Sequence, residues 1–165
     1  MVLSFGVLGA GVPQDVSRLV STHVKPAPSL QDRRGSPEAL LALLQDRGAV
    51  ARQSEWRMDF ADHYQVAPGF SFLGLDWVAF RHERRKAGDV GCCENPGVAL
   101  LLRGSKVADA RLQRFAEQHA CQLDVAFDAR RELAFMPSAK RWPDGRYTFL
   151  RCDDWTLRDA QLEQP

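Results

Sequence analysis

The sequence predicts an α+β fold: a single domain over residues 1–165, with helices packed on a mixed, mainly antiparallel sheet of about five or six strands. Three observations carry this expectation. The run Val98-Ala99-Leu100-Leu101-Leu102 is short, continuous and bounded by Pro96-Gly97 and Gly104, as a strand buried on both faces should be. Behind it, Ala108, Leu112, Phe115, Ala116 and His119 recur at helical spacing before a second apolar run, Leu123 to Phe127. Residues 98–127 therefore read as one β-α-β unit with parallel strands. Finally, Trp56, Met58 and Phe60 alternate with Arg57 and Asp59, the period of a half-buried strand at an edge or in an antiparallel pair.

In chain order, Val2, Phe5, Val7 and Leu8 form a β-favouring run, and Pro13 suits the first turn of a helix over 13–24. Gly6, Gly9 and Gly11 invite comparison with a dinucleotide-binding turn, but the third glycine position in the register from Gly9 holds Gln14, so they read as punctuation. Residues 25–35, with Pro26, Pro28 and Gly35, make an internal loop. The helix over 36–47 is marked by Ser36 as its cap, Pro37 at its first position and Gly48 beyond its end. A second central segment runs from Phe70 to Phe80, where Gly74 and Asp76 predict a bulge or a break, with a helix over 75–86 as the alternative. Ser105 is the expected cap of the helix over 105–120. Phe127 and Leu133 to Met136 suggest a hairpin, Tyr147 to Leu150 a further strand, and 156–165 a short terminal helix or a frayed tail.

Composition excludes some classes. With 22 basic and 21 acidic residues the formal charge is +1, so no overall field steers the chain to nucleic acid or an anionic membrane. The bias to 18 arginines against 4 lysines, with abundant alanine and leucine, fits a GC-rich bacterial source. No stretch approaches the roughly 20 apolar residues of a membrane span, and the N-terminal run lacks an early basic region. A cytoplasmic protein is expected, with Cys92, Cys93, Cys121 and Cys152 all reduced.

No site is marked by a motif. Cys92 and Cys93 sit side by side in a loop, and a catalytic cysteine would need a base such as His63, His82 or His119 brought to it by the fold. The spacing of Cys92, Cys93, His119 and Cys121 departs from that of structural zinc, so no metal and no cofactor are expected. Asp59, Asp62, His63, Asp76, His82 and Glu83 supply acid and base groups, and pairing across the Pro68-Gly69 turn would bring His63 near Asp76. Arg81, Arg84, Arg85 and Lys86 form the densest basic run, read as solvent-facing, and Lys140-Arg141-Trp142 adds a second with an aromatic.

By elimination the expected function is protein–protein binding of the immunity, inhibitor or adaptor type. Its contact residues are Arg81, Arg84, Arg85, Lys86, Glu94, Arg141 and Trp142, facing an acidic partner. The alternatives are a small hydrolase or transferase using Cys92, His63, His82 or Asp76, and a nucleic-acid binder acting through 81–86.

Overall fold

The computed structural model describes residues 13–27, 33, 35–84, 95–104 and 109–162. Within them the fold is α+β, built on one mixed and mostly antiparallel sheet of eight strands, more than the five or six expected. The expected strand at 2–8, the Ser105 cap, and Arg85, Lys86, Cys92, Cys93 and Glu94 lie outside the described residues.

The chain enters as β1 (Gln14–Asp15), followed by α1 (Ser17–Val24). The expected helix therefore starts late. Gln14 N–H donates to the Gly69 carbonyl at 2.7 Å, drawing 14–15 into the sheet, and the Asp15 carboxylate accepts from Ser17 N–H at 2.8 Å. Helix α2 (Pro37–Asp46) is capped by Ser36 as foreseen, its Oγ accepting from Ala39 N–H at 2.9 Å.

The alternating segment splits into a hairpin, β2 (Trp56–Met58) and β3 (Ala61–Gln65), turning at Asp59 with φ of 50°. Asp62, His63 and Tyr64 are thus strand residues and buried. The second central segment breaks into β4 (Phe70–Phe72) and β5 (Leu75–Glu83). Leu73 and Gly74 between them both have positive φ, 50° and 77°, the conformation that lets a two-residue turn follow the twist of its strands. A bulge between Trp77 and Ala79, which the sequence did not mark, interrupts β5. Strand β5 also absorbs the basic run as far as Glu83. It pairs with β3 on one edge and β6 on the other, so His82 and Glu83 are buried and Arg81 half-buried, not solvent-facing.

Strand β6 (Gly97–Arg103) is interior, as its apolar run predicts. Helix α3 (Ala110–His119) begins at Asp109, whose side chain accepts from Arg111 N–H, and leads to β7 (Gln122–Phe127). Strands β6 and β7 are parallel, but β8 (Tyr147–Asp153) lies between them, antiparallel to both. The order across the sheet is β1-β4-β5-β6-β8-β7, with β3 beside β5 and β2 beside β3. No hairpin follows β7. Instead α4 (Ala129–Glu132) and a 3₁₀ turn (Pro137–Arg141) fold back over the sheet, and α5 (Asp154–Leu162) continues directly from β8.

The two faces of the sheet differ. On one, Phe80, Leu100, Leu150 and Cys152 meet Val20, Leu40, Leu44, Leu112 and Phe115 from α1, α2 and α3. On the other, Ala79, Leu101 and Tyr147 are covered by Leu133, Met136, Ala139 and Trp142. That second cover reaches only part of the face.

Cys121 and Cys152 form a disulfide, correcting the expectation of four free thiols. Pairing of Gln122 with Arg151 and of Leu123 with Leu150 carries β7 back to place Cys121 opposite Cys152, a juxtaposition that their 31-residue separation hides.

Candidate functional site

The uncovered part of the second face is built by strand register. Reading across β3, β5, β6, β8 and β7, one row is His63, Arg81, Ala99, Arg151 and Gln122. The adjacent row is Ala61, Glu83, Gly97 and Asp153. Successive side chains alternate between faces, so residues two apart on each strand share this one. The small residues Ala99 and Gly97 in the middle leave the arginines room. At Gly97 glycine is required, because a Cβ would stand 2.4 Å from the Asp153 Cα.

Above these rows lies an open groove of ≈ 610 Å³ with His63, Arg81, Glu83 and Arg151 among its lining residues. Its walls are aromatic. Phe127 and Phe149 stack at 4.6 Å, and Phe135 meets the His63 ring edge-on at 4.9 Å. Met58 and Trp155 form the rim and are each 44% exposed. Ser138 holds the 3₁₀ turn in place, its Oγ donating to the Glu55 carboxylate at 2.7 Å, and Asn95 Oδ1 accepts from Trp155 N–H at 2.8 Å.

The charges on the floor occur in pairs. Arg81 donates to Glu83, whose other oxygen accepts from Asn95 N–H at 3.1 Å. Burial raises the Glu83 carboxyl above its usual range, against the lowering effect of Arg81. Arg151 Nη2 donates to Gln122 Oε1 at 2.7 Å, while its Nε lies 3.0 Å from Asp153 Oδ2, close enough to pair as ions but not aligned as a hydrogen bond. His63 is only 6% exposed and its Nδ1 has no hydrogen-bond partner. Burial, and then the Arg81 charge, lower its pKa to about 4, so the ring is neutral at pH 7.

The sequence-predicted residues divide. His63 and Arg81 face each other across β3 and β5 and belong to the groove. Asp76 does not approach His63, because the hairpin turns at Leu73-Gly74 and not at Pro68-Gly69. Asp76 pairs with Ser71 and accepts from Arg103 instead. His82 points to the opposite face, fully buried, with neither ring nitrogen hydrogen-bonded. Burial lowers its pKa, so at neutral pH the 3.9 Å approach of Nε2 to Glu38 joins a neutral ring to a carboxylate and is no ion pair.

Arg84 and Arg141 lie at opposite ends of β3. Arg84 is 3.4 Å from Asp62, and Arg141 donates to Gln65 at 3.3 Å. The Asp62 carboxyl is pushed up by burial, but the hydrogen bond from Arg57 and the Arg84 charge outweigh this and hold it below its usual range. Trp142 is 4% exposed and packs on Tyr147, since the 3₁₀ turn tucks its side chain against the sheet. It is therefore core, not contact surface.

Glu83, read from the sequence as an acid–base candidate beside His63, does join it in the groove, whereas Arg151, Phe135, Phe149 and Trp155 were missed as companions of His63. The available signal was the charged Arg151 directly after the β-favouring run Tyr147 to Leu150; its place beside Ala99 depends on strand order. Among the described residues no group of His, Cys, Asp and Glu has a metal-holding arrangement, and no helix is long and apolar enough to cross a membrane. Comparison of the chain with protein-family models, curated proteins and solved structures gives no match.

Proposed function

We propose that the protein acts by binding another protein through the aromatic-walled groove, as an immunity, inhibitor or adaptor module. The observation that carries this reading is the exposure of Met58 and Trp155 at the rim of a groove floored by Arg81 and Arg151. Tryptophan, methionine and arginine are the types enriched where interfaces concentrate their energy, and large apolar side chains left exposed together mark contact sites. Each floor arginine already has an acidic neighbour, which argues against the strongly acidic partner that the sequence suggested. The fitting partner inserts apolar side chains between Phe135, Phe149 and Trp155 and presents polar groups to the floor. Action in the cytoplasm is part of this proposal.

The test is crosslinking of the protein to its partner in native-host extract, repeated with Trp155→Ala and Met58→Asp. A partner captured by the wild type and lost from both variants supports the reading. If neither substitution alters capture, while Arg84→Glu or Arg141→Glu abolishes it, the groove is not the interface.

A second reading has its own observation. His63 and Glu83 line one groove, the first held neutral and the second raised in pKa by burial, and such opposed shifts in a cleft are a mark of acid–base sites. A hydrolase or transferase using this pair would lose turnover on His63→Gln with the groove otherwise intact. Absence of any hydrolysed product from broad ester, amide and phosphoester substrate panels would count against it.

A further inference from the structure

We propose that Cys121 and Cys152 are a reversible redox pair, in which Cys121 exchanges with an external dithiol, Cys152 is the thiol released on reduction, and on re-oxidation Cys152 attacks the mixed disulfide at Cys121 and closes the bond. Three observations support this assignment independently of the groove described above.

The first is unequal access. Cys121 is half-buried and lines a separate open groove of ≈ 830 Å³ between α3, β7 and α5, whereas Cys152 is fully buried among apolar residues. An incoming thiolate therefore reaches only one of the two sulfurs. The second is position. Cys121 immediately precedes β7, which among the described strands pairs with β8 alone, so the bond lies at the sheet's edge and not beneath a further strand.

The third is that the corner is tied twice. The half-buried Arg33 guanidinium donates to the carbonyls of His119 at 2.7 Å and Ala120 at 3.0 Å, immediately before Cys121. The same group donates to the Asp153 carbonyl at 3.1 Å, immediately after Cys152, and to Thr156 Oγ1 at 3.1 Å. Burial lowers the Arg33 pKa to about 10, which still leaves it charged at pH 7. One cation thus holds both cysteine-bearing segments together without the sulfur–sulfur bond, so opening the bond leaves the two thiols opposed and ready to close again.

The chemistry is thiol–disulfide exchange. A thiolate of the dithiol attacks Cys121 Sγ; the bond to Cys152 breaks, and Cys152 leaves as a thiolate that takes up a proton. Its neutral thiol is a small apolar group that the core accommodates. The second thiol of the reductant, as its thiolate, then attacks the mixed disulfide and releases Cys121 as a thiolate. Two electrons pass to the protein, and the reductant departs as its own disulfide.

The experiment uses the full chain carrying Cys92→Ser and Cys93→Ser. Dithiothreitol under native conditions should expose two thiols per chain while circular dichroism stays unchanged, and air or oxidised glutathione should restore the bond. Adding Cys152→Ser should let oxidised glutathione modify Cys121, read by peptide mass spectrometry. Adding Cys121→Ser instead should leave Cys152 modified about tenfold more slowly. Reduction only after denaturation, or unfolding on reduction, would show a purely structural bond, and this measurement needs no substitution at either cysteine of the pair. Equal modification of Cys152 would overturn the assigned roles.

Discussion

The two faces of the sheet are made by the same strands and do different work. On β5, β6 and β8 the residues Phe80, Leu100 and Leu150 point to α1, α2 and α3, and each is essentially inaccessible to solvent. One residue along, Arg81, Ala99 and Arg151 point the other way into an open groove. A single-residue step thus separates a face that supplies stability from a face that holds charge, and the alternation of strand side chains is the whole cause. The apolar face tolerates no loss of volume. The polar face keeps its charges because they are paired and because α4 and the 3₁₀ turn stop short of covering them.

The comparison breaks most clearly at its apolar side. Leu100→Ala should cost about 2–5 kcal/mol by removing methyl groups from a filled core, read from urea unfolding. A loss under about 1 kcal/mol would mean that this face is not the close-packed one. Breaking the disulfide by reduction should cost somewhat less, about 2–4 kcal/mol, since it frees a 31-residue loop in the unfolded chain. Because marginal stability is about 5–15 kcal/mol, the reduced protein should still fold, and comparing urea curves with and without reductant checks both statements.

Acid should act on both faces. His63, His82 and His119 all have pKa values lowered chiefly by burial, so the unfolded chain binds protons that the folded one refuses. Stability should therefore fall as the pH drops below about 6.5 and, for His63, level off below about 4. The raised Glu83 works with the opposite sign, favouring the fold on acidification just above its ordinary value, which makes the net loss shallower. A Tm lower by roughly 5 °C at pH 4.5 than at pH 7 is expected in scanning calorimetry. His82→Phe should flatten that dependence; an unchanged profile would show that the ring is already protonated or paired in the fold.

The smallest effect belongs to the groove rim. Trp155→Ala should change stability by less than about 0.5–1 kcal/mol, because the indole is nearly half exposed. A larger cost would make it a core residue and remove it from the proposed contact surface.

By itself the sequence determined the elements whose signals are local. Ser36-Pro37 starts α2 because a cap and a φ-locked ring act within one turn. The continuous apolar run at 98–102 predicts an interior strand because both its faces must be dry. Parallel strands flanking α3 follow from the crossover alone. Tertiary structure decided everything that depends on which strand lies beside which. The insertion of β8 between β6 and β7 put Arg151 in the row of Arg81 and Cys152 opposite Cys121. The turn at Leu73-Gly74 separated Asp76 from His63, and the folding back of 137–141 took Trp142 into the core. Pairing register and layer coverage are set by contacts between segments far apart in the chain, and no local period or spacing encodes them.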